Sequence, residues 1–163
     1  MIELFTGSPE ETQAIGIALG QVAKPGDLLL LCGDLGSGKT CLVQGIARGL
    51  GIQEPVRSPT FVLVTEHRGR LDLYHMDLYR LDDIREVEDL GLDEYLEGEG
   101  ICAVEWADKA LPFFPGDHLK VELEHQWAQR RALRLVPTGL RYISMVEQAH
   151  HLLAASEGRP HTQ

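Results

Sequence analysis

Long hydrophobic runs are missing from this chain of 163 residues. The longest apolar stretch, residues 28–32, has the length of one β-strand and falls far short of the roughly 20 residues that a membrane-spanning helix needs. The first residues also lack the charged and apolar regions of a secretory signal peptide. We therefore expect a cytoplasmic protein with no membrane partner.

Cysteine and positive charge are both scarce. The 3 cysteines show no close pairing of the kind that binds zinc, so we expect them to be reduced. Lysine and arginine together number 15 against 25 aspartates and glutamates, which gives a net charge of −10. Because such a charge repels phosphate backbones at long range, we expect the chain to meet nucleic acid only through a partner protein.

The segment 33–40, GDLGSGKT, matches the pattern G-x-x-x-x-G-K-T in full. It lies between an apolar strand-like run and an amphipathic stretch, which is the context that a phosphate-binding loop requires. Glycines let backbone N–H groups converge on phosphate oxygens, and the start of the following helix adds its positive end. We therefore predict that the phosphates of ATP or GTP bind here together with Mg²⁺; the absence of an N-K-x-D guanine-reading motif favours ATP. The predicted binding residues are Gly33, Asp34, Leu35, Gly36, Ser37, Gly38, Lys39 and Thr40, with the Thr40 hydroxyl on the metal.

Strand and helix patterns alternate along the rest of the chain. We predict strands at residues 2–5, 28–32, 61–67, 71–79, 101–104, 118–124 and 131–136. Helices are predicted after Ser8, at 39–49, within the acidic stretch 82–99 and at 139–157, the last with Leu140, Ile143, Val146, Leu152 and Leu153 inward. This order predicts an α/β fold of the P-loop NTPase type. Its mixed sheet is flanked by helices and includes antiparallel hairpins, in a single domain over 1–157 with a disordered tail at 158–163.

Glu105 directly follows the apolar run 101–104, the position of the acid in a Walker B motif. From there a carboxylate binds Mg²⁺, directly or through water, or polarises the attacking water. The alternative is an ordinary carboxylate at the end of a strand. Together with the loop at 33–40, the position predicts Glu105 as a metal ligand and a catalytic residue.

Strand alternation places His75, Asp77 and Tyr79 on one face of their strand. They lie toward its carboxyl end, where ligands of open α/β sheets bind. We predict Asp77 as a catalytic residue that holds metal-bound water or acts as a base. The alternative is a His75–Asp77 pair that only stabilises the sheet.

Two further residues adjoin these motifs. Thr60 lies between the predicted loop helix and the next strand, where a GTPase has its first switch threonine, and we predict that it senses the γ-phosphate. A Ser-Pro turn at the start of a strand explains Ser58 and Pro59 almost as well. Three roles are open for Trp106: covering the nucleotide, stacking on a partner or capping the core. Its position in the sequence does not distinguish between them.

Four sequence blocks in this order resemble the bacterial tRNA threonylcarbamoyladenosine biosynthesis protein TsaE family. They are GDLGSGKT at 33–40, RSPTF at 57–61, LYHMDLYRL at 73–81 and VEW at 104–106. The blocks run over about half of the chain, and the last three are far more specific to the family than the phosphate-binding loop is.

The resemblance implies a small P-loop ATPase that joins the TsaD and TsaB proteins. Those partners attach a threonylcarbamoyl group to the adenosine beside the tRNA anticodon. The resemblance implies that this chain does not transfer the group but hydrolyses ATP to reset or regulate the complex, weakly alone and faster with its partners. By position, it assigns Mg²⁺ to Thr40 and Glu105, and control of hydrolysis to Asp77 and Thr60.

The resemblance also places Trp106 near the nucleotide or the partner, and Thr12, on the first helix, near the bound nucleotide.

Two other functions remain open from the residues. A small-molecule or nucleoside kinase needs an acceptor pocket and an arginine-bearing lid, for which Arg80 and Arg85 are candidates. A non-hydrolysing nucleotide sensor would use the same loop without turnover.

Overall fold

The structure is a computed structural model that describes residues 1–59, 64–114 and 116–157. Its strands are β1 (Ile2–Thr6), β2 (Leu28–Cys32), β3 (Val64–His67), β4 (Leu73–Asp77), β5 (Ile101–Glu105), β6 (His118–His125) and β7 (Arg131–Thr138). Its α-helices are α1 (Pro9–Val22), α2 (Lys39–Gly49), α3 (Arg85–Asp89), α4 (Leu92–Leu96) and α5 (Leu140–Glu157). Short 3₁₀ turns follow β5 at Ala107–Lys109 and Leu111–Phe113. The predicted strand at 61–67 is described only from Val64, and residues 158–163 lie outside the described part.

The strands form one mixed sheet in the order β1-β7-β6-β2-β5-β4-β3. The central strands β6, β2, β5 and β4 are parallel, whereas β7, β1 and β3 pair antiparallel with their neighbours. The predicted α/β fold with antiparallel hairpins is therefore confirmed. No helix in the described ranges is both long and apolar enough to cross a membrane.

The β2 strand is buried on both faces, as its continuous apolar run predicts. Leu29 and Leu31 pack into a core formed with α1, α2 and α5. Leu28 and Leu30 point to the opposite core, formed with α3, α4 and the turn after β5. Helices on both faces thus enclose the strand that leads into the phosphate-binding loop.

Helix α1 begins at the predicted cap. The Ser8 hydroxyl accepts a hydrogen bond from the Glu11 amide at 3.2 Å, and Pro9 occupies the first turn. The Glu11 carboxylate in turn accepts from the Gly7 amide at 2.5 Å, one residue before the capping serine. The chain therefore enters α1 at a fixed point.

Helices α1 and α2 cross with their backbones in contact. Each carries two glycines four residues apart that face the other helix, Gly16 and Gly20 on α1 and Gly45 and Gly49 on α2. A Cβ atom at any of the four would lie 2.3–2.4 Å from a backbone carbonyl oxygen of the opposite helix. Only glycine allows this approach.

The predicted inner face of α5 is confirmed at Val146, which is buried, and at Leu153, which packs against the core, but it is wrong at the other three residues. Leu140 is 85% exposed, and Ile143 and Leu152 are also exposed. The buried residues are Tyr142, Met145, Val146 and Ala149. The helix is rotated about its axis relative to the predicted orientation. The reason is that the Tyr142 hydroxyl accepts a hydrogen bond from the Leu28 amide at 2.9 Å, which directs the ring toward the start of β2.

Candidate active site

Three parallel strands end side by side at one edge of the sheet. Leu31 of β2 pairs with Glu105 of β5, and Glu105 pairs with Asp77 of β4. The phosphate-binding loop begins two residues after Leu31. The structure therefore brings both predicted acids to the edge from which the loop emerges, where ligands of open α/β sheets bind.

The loop owes its shape to glycine. Gly33, Gly36 and Gly38 have φ angles of 153°, 78° and 106°, a region that other residues rarely adopt. Gly38 is also the N-cap of α2, so the first amides of this helix have no capping side chain. They are free donors for an anion.

A cavity of about 410 Å³ opens between the loop and the strand ends. Its lining includes most of the predicted site residues: Leu35, Gly36, Ser37, Gly38, Lys39, Thr40, Asp77, Glu105 and Trp106. The other described residues that line it are Cys41, Ser58, Pro59, Tyr79 and Arg80. The volume lies within the range of small-molecule sites, roughly 300–1,000 Å³.

Glu105 is the centre of a buried polar network. Its side chain is almost fully buried, and Oε1 accepts a hydrogen bond from the Thr40 hydroxyl at 2.8 Å. The Ser58 hydroxyl lies 2.7 Å from Thr40 Oγ1 and donates to Glu105 Oε2 at 3.4 Å. His75 Nε2 lies 2.5 Å from the same Oε2. Glu105 is therefore not a solvated carboxylate at the end of a strand.

His75 pairs with Glu105 and not with Asp77. Both residues lie on the predicted face of β4, but the imidazole reaches across to β5. The Asp77 carboxylate instead accepts a hydrogen bond from the Tyr79 amide at 2.9 Å. The structural His75–Asp77 pair considered from the sequence is therefore wrong.

Asp77 has an unusual environment for a carboxylate. Burial raises its pKa above the ordinary value, and the nearby Glu105 raises it further, whereas the hydrogen bond from Tyr79 opposes the shift. Asp77 therefore holds a proton more readily than a free aspartate does. This is the direction that suits a group that accepts a proton during a reaction.

Lys39 is buried beneath Trp106. Its ammonium donates hydrogen bonds to the carbonyl oxygens of Gly33 at 2.5 Å and Asp34 at 2.9 Å. It lies 3.9 Å from the centre of the Trp106 ring, and burial lowers its pKa. Trp106 has a left-handed φ of 58° and stacks against Tyr79 with ring centres 5.0 Å apart. The indole thus lines the cavity on the side of the lysine.

Some predicted residues lie away from this cavity. Gly33 and Asp34 border a second cavity of about 610 Å³ beside β6 and β7. Thr12 borders a third, of about 100 Å³, together with Gly38. The Thr12 hydroxyl bonds to that of Thr6 at 2.8 Å. Thr60 lies outside the described residues, so its predicted role stays a prediction.

Sequence reasoning assigned no site role to Ser58 or His75. Ser58 was treated as part of a turn before Thr60, yet its hydroxyl contacts both Thr40 and Glu105. Its position in the RSPTF block was the available signal. The role of His75 depends on which strand lies next to β4, and no local pattern gives that.

The residues present fit a magnesium ion shared with a nucleotide. A hydroxyl and a carboxylate oxygen, from Thr40 and Glu105, meet beside the cavity. Within the described part of the chain, no group of three or more His, Cys, Asp or Glu side chains is arranged to hold a metal. Mg²⁺ ordinarily takes one or two protein ligands and completes its shell with phosphates and water.

Comparison with known proteins identifies the family. A family model described as threonylcarbamoyl adenosine biosynthesis protein TsaE matches residues 6–133. Among curated proteins named tRNA threonylcarbamoyladenosine biosynthesis protein TsaE, the one from Bacillus subtilis (strain 168) is 46% identical over 144 residues, covering 88% of this chain and 90% of the relative. The one from Nostoc sp. (strain PCC 7120) is 43% identical over 142 residues, covering 84% and 86%.

A solved structure agrees with these relatives. The crystal structure of Bacillus subtilis YdiB matches with a TM-score of 0.82 and 39% identity, over 93% of this chain and 95% of that one. The resemblance that four sequence blocks indicated is thereby confirmed. The chain belongs to the TsaE family.

Proposed function

We propose that this protein binds and hydrolyses ATP with Mg²⁺ to act on the TsaD–TsaB complex during threonylcarbamoylation of the adenosine beside the tRNA anticodon. One observation carries the proposal. In a chain of the TsaE family, Lys39, Thr40, Asp77 and Glu105 line one cavity at the carboxyl edge of the sheet.

The loop and Lys39 bind the phosphates. Lys39 and Thr40, the first residues of α2, line the cavity, so their backbone amides donate to phosphate. The ammonium exchanges its bonds to the Gly33 and Asp34 carbonyls for bonds to phosphate oxygens. Charge-assisted bonds to phosphate are stronger than bonds to neutral carbonyls, so this exchange favours binding. Trp106, against Lys39, then lies beside the phosphates.

Thr40 and Glu105 hold the magnesium ion, directly or through water. Glu105 and Asp77 both lie close enough to Lys39 to raise the pKa of its ammonium. A triphosphate in this cavity would therefore lie near two carboxylates. A magnesium ion held by Thr40 and Glu105 would supply positive charge beside the β- and γ-phosphates. Its positive charge would reduce the repulsion between the two carboxylates of the cavity and an anionic substrate.

Asp77 serves the attacking water. In hydrolysis the water oxygen bonds to the γ-phosphorus, the bond from that phosphorus to the bridging oxygen breaks, and the water gives up a proton. Both Glu105 oxygens already accept hydrogen bonds, from Thr40 and from His75, whereas one Asp77 oxygen has no such donor among the described residues. Asp77 therefore orients the water and accepts its proton, and Glu105 serves the metal.

The partner proteins supply the contact with tRNA. A net charge of −10 opposes direct binding of this chain to a phosphate backbone. Relatives at 43% and 46% identity carry names that place them in this tRNA modification. Acting on TsaD and TsaB therefore fits both the charge and the family.

The test is release of inorganic phosphate from ATP by the chain alone, with TsaD, with TsaB and with both. We expect slow release alone, faster release with both partners, and none with the Lys39→Ala variant. Transfer of phosphate to an added acceptor would favour a kinase. Of the two candidate lid arginines, Arg80 lines the cavity, whereas Arg85 pairs with Asp83 at 2.9 Å and does not. Tight ATP binding with no turnover in any mixture would favour a sensor.

A further inference from the structure

We propose that His75 is a positioning residue that holds the carboxylate of Glu105 in the orientation that serves magnesium. The inference rests on the proposed function, because the metal side of the cavity is the part of the site that it concerns. His75 itself does not line the cavity, so it acts only through Glu105.

Within the described part of the chain, the imidazole makes one hydrogen bond, and that bond lies inside the protein. His75 is 0% exposed, and its Nε2 lies 2.5 Å from Glu105 Oε2. An ionised carboxylate only accepts hydrogen bonds, so Nε2 carries the hydrogen. Nδ1 has no hydrogen-bond partner among the described residues.

Packing alone does not account for a histidine at this position. The neighbouring Met76 and Leu73 are equally buried and apolar, and a buried ring nitrogen without a partner destabilises the fold. A histidine here therefore contributes through the bond that it does make. That bond goes to the predicted magnesium ligand.

The carboxylate of Glu105 is held at both oxygens. Thr40 donates to Oε1 from the loop side, and His75 donates to Oε2 from the interior of the sheet. Ser58 adds only a longer contact of 3.4 Å to Oε2. Without His75, the carboxylate loses the main hydrogen bond that restrains its rotation about the Cγ–Cδ bond. Outer hydrogen bonds of this kind orient ligands at metal sites, and losing one typically weakens metal affinity by roughly 10- to 100-fold.

Three variants test the inference. His75→Gln places an amide N–H near the position of Nε2, whereas His75→Met removes the donor but fills similar space. Met76→Leu, the next residue on β4 and also fully buried, is the control for a changed core. Calorimetry measures the ADP affinity of each variant in excess Mg²⁺ and in a chelator, and thermal unfolding measures its stability.

We expect His75→Met to lose most of the magnesium-dependent gain in affinity, by roughly 10-fold or more, while its affinity in the chelator stays near that of the wild type. His75→Gln should keep most of the gain, and Met76→Leu all of it. If His75→Met does not fold, His75→Asn replaces it, because its shorter amide does not reach Glu105.

Two results would overturn the inference. The first is a His75→Met protein with a lower melting temperature and an unchanged magnesium-dependent gain, since the role of the histidine would then be structural. The second is a His75→Gln protein as defective as His75→Met. A wild-type protein that binds no nucleotide would instead overturn the proposed function, and this inference with it.

Discussion

The ammonium of Lys39 lies 3.9 Å from the centre of the Trp106 ring, and two carbonyl oxygens of the loop accept its hydrogen bonds. A cation over an indole face is attracted by the ring, so Trp106 helps to hold the lysine in place. Both residues line the cavity proposed to bind nucleotide. Binding of phosphates in the cavity should therefore change the environment of the indole.

Lys39→Ala should weaken nucleotide binding by roughly 10- to 100-fold, since a lost charge-assisted bond costs about 1.5–3 kcal/mol. Isothermal titration with Mg-ATP measures the change. Lys109→Ala is the matched control, because its ammonium also lies near Trp106, at 6.0 Å, but outside the cavity. Equal Mg-ATP affinities of Lys39→Ala and the wild type would show that the loop does not bind the nucleotide.

Nucleotide should change the fluorescence of Trp106 but not that of Trp127. Trp106 contacts Lys39, the residue proposed to bind the phosphates, whereas Trp127 is 65% exposed and stacks on Arg130 at the β6–β7 turn. Titration of Trp127→Phe with ATP should reproduce the response of the wild type. The Trp106→Phe protein should give none; a response that survives this substitution contradicts the predicted contact.

Asp77→Asn should raise stability while lowering partner-stimulated hydrolysis by roughly 100-fold. Burial raises the pKa of Asp77 in the folded state, so its ionised form destabilises the fold at neutral pH. The penalty fades as pH falls through the raised pKa and is gone below the ordinary value. The gain in melting temperature of Asp77→Asn should therefore shrink toward acid pH. A stabilised variant with normal turnover would falsify the catalytic role.

Glu105→Gln should shift stability in the opposite direction. The carboxylate accepts hydrogen bonds from Thr40 and His75, and an amide NH₂ would face one of these donors. A buried donor left without an acceptor costs about 1–3 kcal/mol. Thermal unfolding of Glu105→Gln beside Asp77→Asn checks the contrast, and magnesium-dependent ADP affinity should fall only in Glu105→Gln.

Gly16→Ala should destabilise the protein, although glycine-to-alanine changes inside exposed helices usually stabilise by about 0.5–1 kcal/mol. The new Cβ would lie 2.4 Å from the Leu42 carbonyl oxygen, and overpacking of this kind costs about 1–3 kcal/mol. Chemical denaturation measures the difference. Gly116→Ala is the control and should be near neutral, because no described residue beyond its chain neighbours lies within 4 Å of the new Cβ.

Local patterns were sufficient to predict the centre of the fold. The apolar run of β2, the glycine loop and the stripe on α2 are each specified within a few residues, so their order predicted a loop at the edge of a buried strand. Glu105 and Asp77 each end an apolar or alternating strand. Parallel pairing of those strands with β2 then places both acids near the loop.

Contacts between distant segments could not be predicted in the same way. His75 and Glu105 are 30 positions apart, and their bond depends on strand neighbours that the sequence does not state. For α5, leucine spacing favoured a face that includes Leu140, but the Tyr142 hydroxyl bonded to Leu28 sets a different rotation. The paired glycines of α1 and α2 were visible as four-residue spacings, yet only the crossing explains them.

Side chains separate the backbones of most packed helices, but at the glycine crossing of α1 and α2 the two backbones are in direct contact. β1 is tied to the same unit, because the Thr6 and Thr12 hydroxyls bond to each other. The start of α2 is also the end of the phosphate-binding loop. We therefore expect the stretch from β1 to α2 to move as one rigid unit, so that a displacement of the N-terminal helix would also displace the phosphate-binding loop.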